Sequence, residues 1–329
     1  MTEKNLVTAI RDTLHDEIAA DDRIVLLGED VGARGGVFKI SEGFLDEFGE
    51  QRIIDAPLAE SGIVGVAIGM ALQGLRPIAE IEFADFIHPA FDQIVSEAAR
   101  MRYRTNGAVG VPMVIRAPCG GGIHGALYHS QSIEAFYAHV PGLKVVMPST
   151  PADAAGLLRT AIRDPDPVLF LEHKKCYRLV KGEVPDDPPA VPIGVAEVKR
   201  DGEDLSVITY GYEYHRCLDA AERLAADTGL DAEIVDVRTL APLDVDTILA
   251  SVRKTSKAMV VYEDNRTYGA GAEIAATIAE EAMWDLDAPV VRIGGPDIPA
   301  MPYAAALEHY YMEPEPDHIY AAMRRLAEA

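Results

Sequence analysis

RIIDAPLAESGIVGVAIGMALQGLRPIAEI, residues 52–81, reads as strand, helix and strand. RIID and RPIAEI are short apolar runs, and residues 60–73 between them carry helical patterning. Two strands joined through a helix lie parallel, since a tight hairpin can only join antiparallel neighbours. The alternation extends outward in both directions. RIVLLG (23–28) follows a helical segment in which Leu6, Ile10, Leu14 and Ile18 recur every four residues. PMVIRA, LKVVMP and PVLFLE read as further buried strands, with helical patterning at 89–102 and 151–163. Ser149-Thr150-Pro151 has the form of a helix cap followed by proline at the first helical position. The expected class is α/β, a parallel sheet flanked by helices.

GEVPDDPPAVPIG (182–194) is proline-rich, has neither helical nor strand period, and marks a linker. The expected division is a first domain at 1–185, a linker at 186–196 and a second domain at 197–329. Beyond the linker come strands LSVITYG, AEIVDV, AMVVYED and PVVRIGG, with helices through 213–227, 243–254 and 271–285. A second, smaller α/β unit follows from that order.

With 329 residues, about two domains are expected at roughly 100–200 residues each. Thirty basic against 53 acidic side chains give a net charge of −23, which repels phosphate backbones and argues against nucleic acid as a partner. The longest apolar stretch, 63–72, stops at Gln73, far short of the roughly 18 residues of a membrane span. The amino-terminal residues lack an export signal, so a cytoplasmic location is expected. Cys119, Cys176 and Cys217 are too scattered for disulfides or a thiolate metal site and read as core residues. Such self-repulsion suits a high-salt cytoplasm, and a halophilic source is an expectation.

Gly120–Gly125 satisfies G-x-G-x-x-G after a strand. A nicotinamide dehydrogenase would need it to open a helix, with an acid about 20 residues on. No helical period follows, and the next strand ends in Pro148. A glycine loop that positions His124 and His129 is the better reading. Ser130, Gln131 and Ser132 surround His129 with hydrogen-bonding groups, so the imidazole is either structural or a participant in chemistry. Glu60, between RIID and the following helix, either stabilises the helix dipole or, held among Ala59, Ile63, Val64 and Val66, serves proton transfer. Phe86 reads as a core aromatic, and Glu29 and Asp30 as loop residues at the end of the first strand.

Taken together, GEDVGARGGVF, DAPLAESGIVGVAIGMALQGLRPIAEI, FADFIHPAFDQ, HGALYHSQSIEAF and EIVDVRTLAPLDVDTI resemble the β subunits of thiamin-diphosphate-dependent 2-oxo acid dehydrogenases. The resemblance covers essentially the whole chain. FADFIHPAFDQ and HGALYHSQSIEAF look most like the branched-chain subgroup, with pyruvate and acetoin enzymes as the alternative. It implies a pyrimidine-binding domain and a smaller transketolase C-terminal-like domain. It also implies an α2β2 tetramer whose α subunit holds the diphosphate and Mg²⁺. This chain has no G-D-G motif followed by paired asparagines, so it should bind a complete cofactor only with that partner. The reaction implied is oxidative decarboxylation of a 2-oxo acid with reductive acylation of the lipoyl group of an acyltransferase partner. Two readings from other classes stand beside it: a nicotinamide dehydrogenase, and a non-catalytic scaffold that only docks the acyltransferase.

By the same resemblance Glu60 is the glutamate that hydrogen-bonds a pyrimidine nitrogen. Phe86 lies against the pyrimidine, Leu58 lines its pocket, and Glu29 connects Glu60 to the related site. His129 assists acyl transfer to the lipoyl arm. Val111, Met113, Val114, Ala161, Asp164 and Asp166 match the positions of a K⁺ held mostly by backbone carbonyls. Two stretches depart from the pattern: His88 replaces a large apolar residue near the substrate end, and GGPDIPAMPYAAALEHYY (294–311) replaces a DTPFP-like stretch at an expected interface.

Overall fold

The computed structural model describes residues 1–311 and 315–329. The chain divides into two units, Met1–Cys119 with Phe136–Ile193, and Gly120–Ala135 with Gly194–Ala329. Segment 120–135 thus groups with the carboxyl-terminal residues although it precedes the proline-rich stretch in sequence. Residues 186–196 form neither helix nor strand.

The first unit is built on parallel strands in the order Lys144–Val146, Val168–His173, Val114–Cys119, Arg76–Glu80, Ile24–Gly28 and Ile53–Asp55. Ile24–Gly28 and Val168–His173 are buried along their whole length, which is why they read as continuous apolar runs rather than alternating ones. Register sets Gly28 beside both Asp55 and Glu80, and Glu80 beside Arg116. The strands ending at Gly28, Asp55 and Glu80 therefore finish level, and the residues just beyond them share one rim. In open parallel sheets that rim is where ligands bind.

Helix Leu6–Ala20 is capped by the Asn5 side chain, which accepts from Thr8 N–H at 2.8 Å. It buries Leu6, Ile10, Leu14 and Ile18 completely, about 1.5–3 kcal/mol apiece. Helix Pro151–Arg163 starts as expected, with Thr150 Oγ1 accepting from Asp153 N–H at 3.2 Å. Two local expectations are corrected. Residues 89–102 are not one helix but a 3₁₀ turn at His88–Ala90, a π-helical segment at Gln93–Ala98 and a short helix at Met101–Arg104. Apolar period reports which face is buried, not which hydrogen-bond ladder the backbone uses. The stretch 182–194 also begins within a strand, Lys181–Val184, paired antiparallel with Thr2–Asn5. Both strands are largely exposed, so neither carries a burial pattern that a sequence could reveal.

The second unit has strand order Val291–Gly295, Ala258–Asn265, Leu205–Thr209, Ala232–Asp236 and Glu197–Arg200, parallel except for the last. Helices Tyr212–Thr228 and Pro316–Ala327 cover one face, closing a core that includes Leu205, Val207, Leu224, Ile234, Met259, Ile319 and Met323. None of the three cysteines forms a disulfide, and all are buried. Among the described residues, no helix is long and apolar enough to cross a membrane.

Candidate active site

Beneath the rim of the first sheet lies a buried ionic network. Arg116, from the middle strand, donates to both carboxylate oxygens of Glu172 at 2.7 and 2.9 Å and to Glu80 at 2.5 Å. Tyr177 O–H donates to Glu172 at 2.5 Å. Arg116 and Glu172 are almost inaccessible to solvent. Burial disfavours the Arg116 charge, yet the two carboxylates hold its pKa above the usual arginine range. Burial raises the Glu80 carboxyl, and Arg116 opposes that rise.

Above this network the charges are not balanced in the same way. Burial raises the Glu29 carboxyl, and the negative charges of Asp30 and Glu60 raise it further. Glu82, two residues past the strand that ends at Glu80, is pushed from an ordinary 4.5 to about 7. Burial is the larger cause, followed by Glu29, Asp30, Glu80 and Glu60, all negative. Glu60 opens helix Glu60–Leu72, where its N-cap Ala59 offers no side-chain cap and leaves the first-turn N–H groups beside an acidic side chain. The intervening loop turns through Asp30 at φ +57 and Gly36 at φ +74, and a Cβ on Gly36 would stand 2.9 Å from a Glu80 oxygen. Left-handed backbone at a non-glycine residue, here Asp30, is the kind of strain that collects at functional sites. Glu29, Glu60 and Glu82 thus form a rim of carboxylates, two of them raised toward neutral pH, a pattern associated with proton-transfer sites.

Phe86 is half-buried at the end of the turn Ala84–Phe86 and meets Phe83 edge-on at 5.9 Å. Phe83 meets Phe38 at 5.7 Å, and Phe38 meets Tyr177 at 4.9 Å, so an aromatic row links the rim to the buried network. Leu58 is 72% exposed just before Glu60. His88 is exposed and packs edge-on against Phe136 at 5.4 Å; burial lowers its pKa. Glu29, Leu58, Glu60 and Phe86 all belong to the first unit, whereas His129 belongs to the second.

In the second unit, Gly120 N–H donates to Gln131 C=O at 3.0 Å and closes a loop that opens no α-helix. That geometry removes the structural basis for a pyrophosphate-binding turn. His129 follows the 3₁₀ turn Ala126–Tyr128 and packs so closely on Gly125 that a Cβ there would meet the His129 Cβ at 2.6 Å.

Comparison with known proteins identifies the family. The transketolase pyrimidine-binding domain family matches residues 2–180, and the transketolase C-terminal domain family matches residues 194–319. The chain is 56% identical to the 2-oxoisovalerate dehydrogenase subunit beta of Bacillus subtilis, over 100% of both chains. It belongs to the family of β subunits of thiamin-diphosphate-dependent 2-oxo acid dehydrogenases. It is also 49% identical to the pyruvate dehydrogenase subunit beta of the same organism, covering 90% of this chain and 91% of that one. The corresponding subunit of Acholeplasma laidlawii is 47% identical over 98% of each. A solved structure described as a split-gene transketolase in an inactive β4 tetramer superposes with TM-score 0.78 at 24% identity, covering 98% of each chain, which speaks to the fold.

Most of the residues expected at a K⁺ site have hydrogen-bond partners within the protein. Asp164 accepts from Lys144 Nζ at 2.5 and 2.7 Å, and Asp166 from Arg102 at 2.5 Å. The carbonyls of Val111, Met113 and Ala161 each accept one backbone N–H. Val114 begins the central strand. Among the described residues, no group of three or more His, Cys, Asp or Glu could hold a metal ion.

Two parts of this candidate site escaped the sequence reading. Glu82 and the Glu80–Arg116–Glu172 network depend on register between strands distant in sequence. Signals did exist: acids at 80 and 82 at the carboxyl end of a parallel strand, and a lone arginine inside the apolar run PMVIRA.

Proposed function

We propose that this β subunit acts on branched-chain 2-oxo acids, with pyruvate or acetoin as the alternative substrates, and transfers the acyl group to a lipoyl-bearing dihydrolipoyl acyltransferase. The observation that carries the substrate reading is the 56% identity over the full length of a 2-oxoisovalerate dehydrogenase β subunit. The proposed assembly is a cytoplasmic α2β2 heterotetramer. Its α subunit holds the diphosphate and Mg²⁺, and residues 1–185 and 197–329 of this chain supply the pyrimidine-binding and C-terminal domains. Helix Glu60–Leu72 supports a partner for this segment: it is apolar on every side past its first turn, yet Val66 and Leu72 are 53% and 40% exposed, and Leu58 just before it is exposed too.

The donor set fits the pyrimidine of thiamin diphosphate. A carboxyl amid excess negative charge suits a ring nitrogen that shares a proton, and a half-buried phenylalanine suits a flat ring. When bound, the cofactor supplies the carbanion chemistry. Glu60 would hold the ring nitrogen and move a proton to and from it, Phe86 would lie against the ring, Leu58 would line its pocket, and Glu29 would connect Glu60 to the symmetry-related site. In balance, the C1–C2 bond of the acid breaks to release CO₂, and its electron pair reduces the lipoyl disulfide. The acyl carbon bonds to one sulfur, and the other sulfur takes a proton, which His129 would deliver. A K⁺ would be held mostly by backbone carbonyls of Val111, Met113, Val114, Ala161, Asp164 and Asp166, and no step runs through it.

The test is co-expression with the α partner at high salt, followed by dye reduction with 2-oxoisovalerate, 2-oxoisocaproate, pyruvate and acetoin, with and without thiamin diphosphate and Mg²⁺. Cofactor-dependent turnover confined to the mixed preparation, fastest with a branched acid, is expected. Preference for pyruvate would transfer the assignment to the alternative, and cofactor-dependent turnover by this chain alone would overturn the shared site.

A further inference from the structure

The loop Gly120–Ala135 is held by carboxylates donated from distant parts of the second unit. Glu308, on helix Ala305–Tyr311, is 1% exposed. Its oxygens accept from Gly122 N–H at 3.0 Å and His124 N–H at 3.1 Å, and it pairs with His124 Nδ1. Glu263, on strand Ala258–Asn265, accepts from Gly121 N–H at 2.8 Å and Ser132 Oγ at 3.0 Å. Glu134, at the loop's far end, accepts from Tyr210 O–H at 2.9 Å.

A buried carboxylate is expensive, and hydrogen bonds from a chain of N–H groups are one way to keep it. Here the bonds also impose a shape. Gly120, Gly122, His124 and Ala126 all have positive φ, which for His124 and Ala126 needs an outside constraint. The constrained turn folds back so that Gly125 lies under His129, with room for no side chain.

We propose that Glu308 is a positioning residue for His129: by gripping Gly122 and His124 it fixes the turn on which the imidazole rests, and so sets the rate of acyl transfer to the lipoyl arm without entering decarboxylation. This rests on the acyl-transfer reading of His129. It also gives a role to the segment 294–311, which departs from the family pattern yet places one buried acid on the histidine loop.

The experiment uses the assembled, cofactor-loaded tetramer carrying Glu308→Ala, Glu308→Gln or His129→Ala. Three readouts are taken: hydrogen exchange of residues 120–131, dye reduction, and reductive acylation of an isolated lipoyl domain. Glu308→Ala is expected to lose protection across the loop and to slow acylation about tenfold or more, since small misplacements of a reacting group carry such costs. Dye reduction should stay within about twofold, and Glu308→Gln, which keeps an acceptor oxygen, should recover part of the acylation rate. Unchanged protection would overturn the grip. Lost protection with normal acylation, while His129→Ala abolishes acylation, would overturn the positioning role. Equal loss of dye reduction and acylation would overturn its selectivity. Normal acylation by His129→Ala would instead sink the reading on which the proposal rests, leaving the loop grip to the exchange data.

Discussion

Two layers of carboxylates meet at the carboxyl edge of the first sheet, and they are treated in opposite ways. Glu80 and Glu172 lie deep and share Arg116, whose guanidinium fork answers both. Glu29, Glu60 and Glu82 lie just above, and the charges that act on Glu29 and Glu82 from this group are negative. The lower layer is compensated and belongs to the architecture. The upper layer gathers like charges, which folding alone would not favour, and that contrast supports the proposal of a proton-sharing ligand there.

The contrast breaks most sharply at Glu60. In the assembled holoenzyme, Glu60→Gln should cut dye reduction about a thousandfold, within the usual range for losing a general acid–base, while gel filtration shows an intact tetramer. Retention of most activity would return Glu60 to the role of a helix-end acid.

In the lower layer, Arg116→Met leaves two buried carboxylates without their cation and should cost about 3–5 kcal/mol, read from urea denaturation of the isolated chain. Replacing Glu80, Arg116 and Glu172 together by apolar residues of similar volume should restore most of that loss, because the ions then need no solvation. If the triple variant is as unstable as the single one, the network does more than neutralise itself.

The upper layer also predicts a pH dependence. Glu82 titrates at about 7 in the folded chain against an ordinary 4.5. The folded state therefore keeps its proton longer than the unfolded one, and stability falls as pH rises from about 4.5 to 7, then levels off. Solvent screening keeps the contribution below about 1 kcal/mol. Glu82→Gln should flatten that part of the stability profile, and an unchanged profile would remove Glu82 from the cluster.

The smallest expected effect concerns the surface as a whole. With 53 acidic against 30 basic residues, the melting temperature of the isolated chain should climb by a few degrees between about 0.1 and 1 M KCl, as the Debye length shrinks from about 10 to 3 Å. Insensitivity to salt would count against a halophilic source.

Much of the candidate site could be named from the sequence because its residues sit at junctions of strongly patterned elements. Glu60 falls where RIID yields to an apolar helix, and Glu29 where RIVLLG ends. Phe86 and His129 were legible only through resemblance, since a single aromatic or imidazole in a loop has no period. Glu82 was missed because its place at the carboxyl end of a strand is legible locally, whereas the burial and the acids Glu29, Asp30 and Glu60 that raise it come together only in the fold. The Thr2–Asn5 and Lys181–Val184 strands were missed because mutual pairing, rather than burial, makes them strands.

By itself the sequence determined the alternation of strand and helix, the proline-rich break after the first sheet, and the family, because apolar period and extended residue identity are local properties of the chain. Only the tertiary structure decided which acids are answered by Arg116 and which are left to repel one another, and that Gly120–Ala135 hangs from Glu263 and Glu308. The reason is physical: a carboxylate's protonation and partners depend on burial and on charges within a few ångströms, and those neighbours come from residues dozens to nearly two hundred positions away.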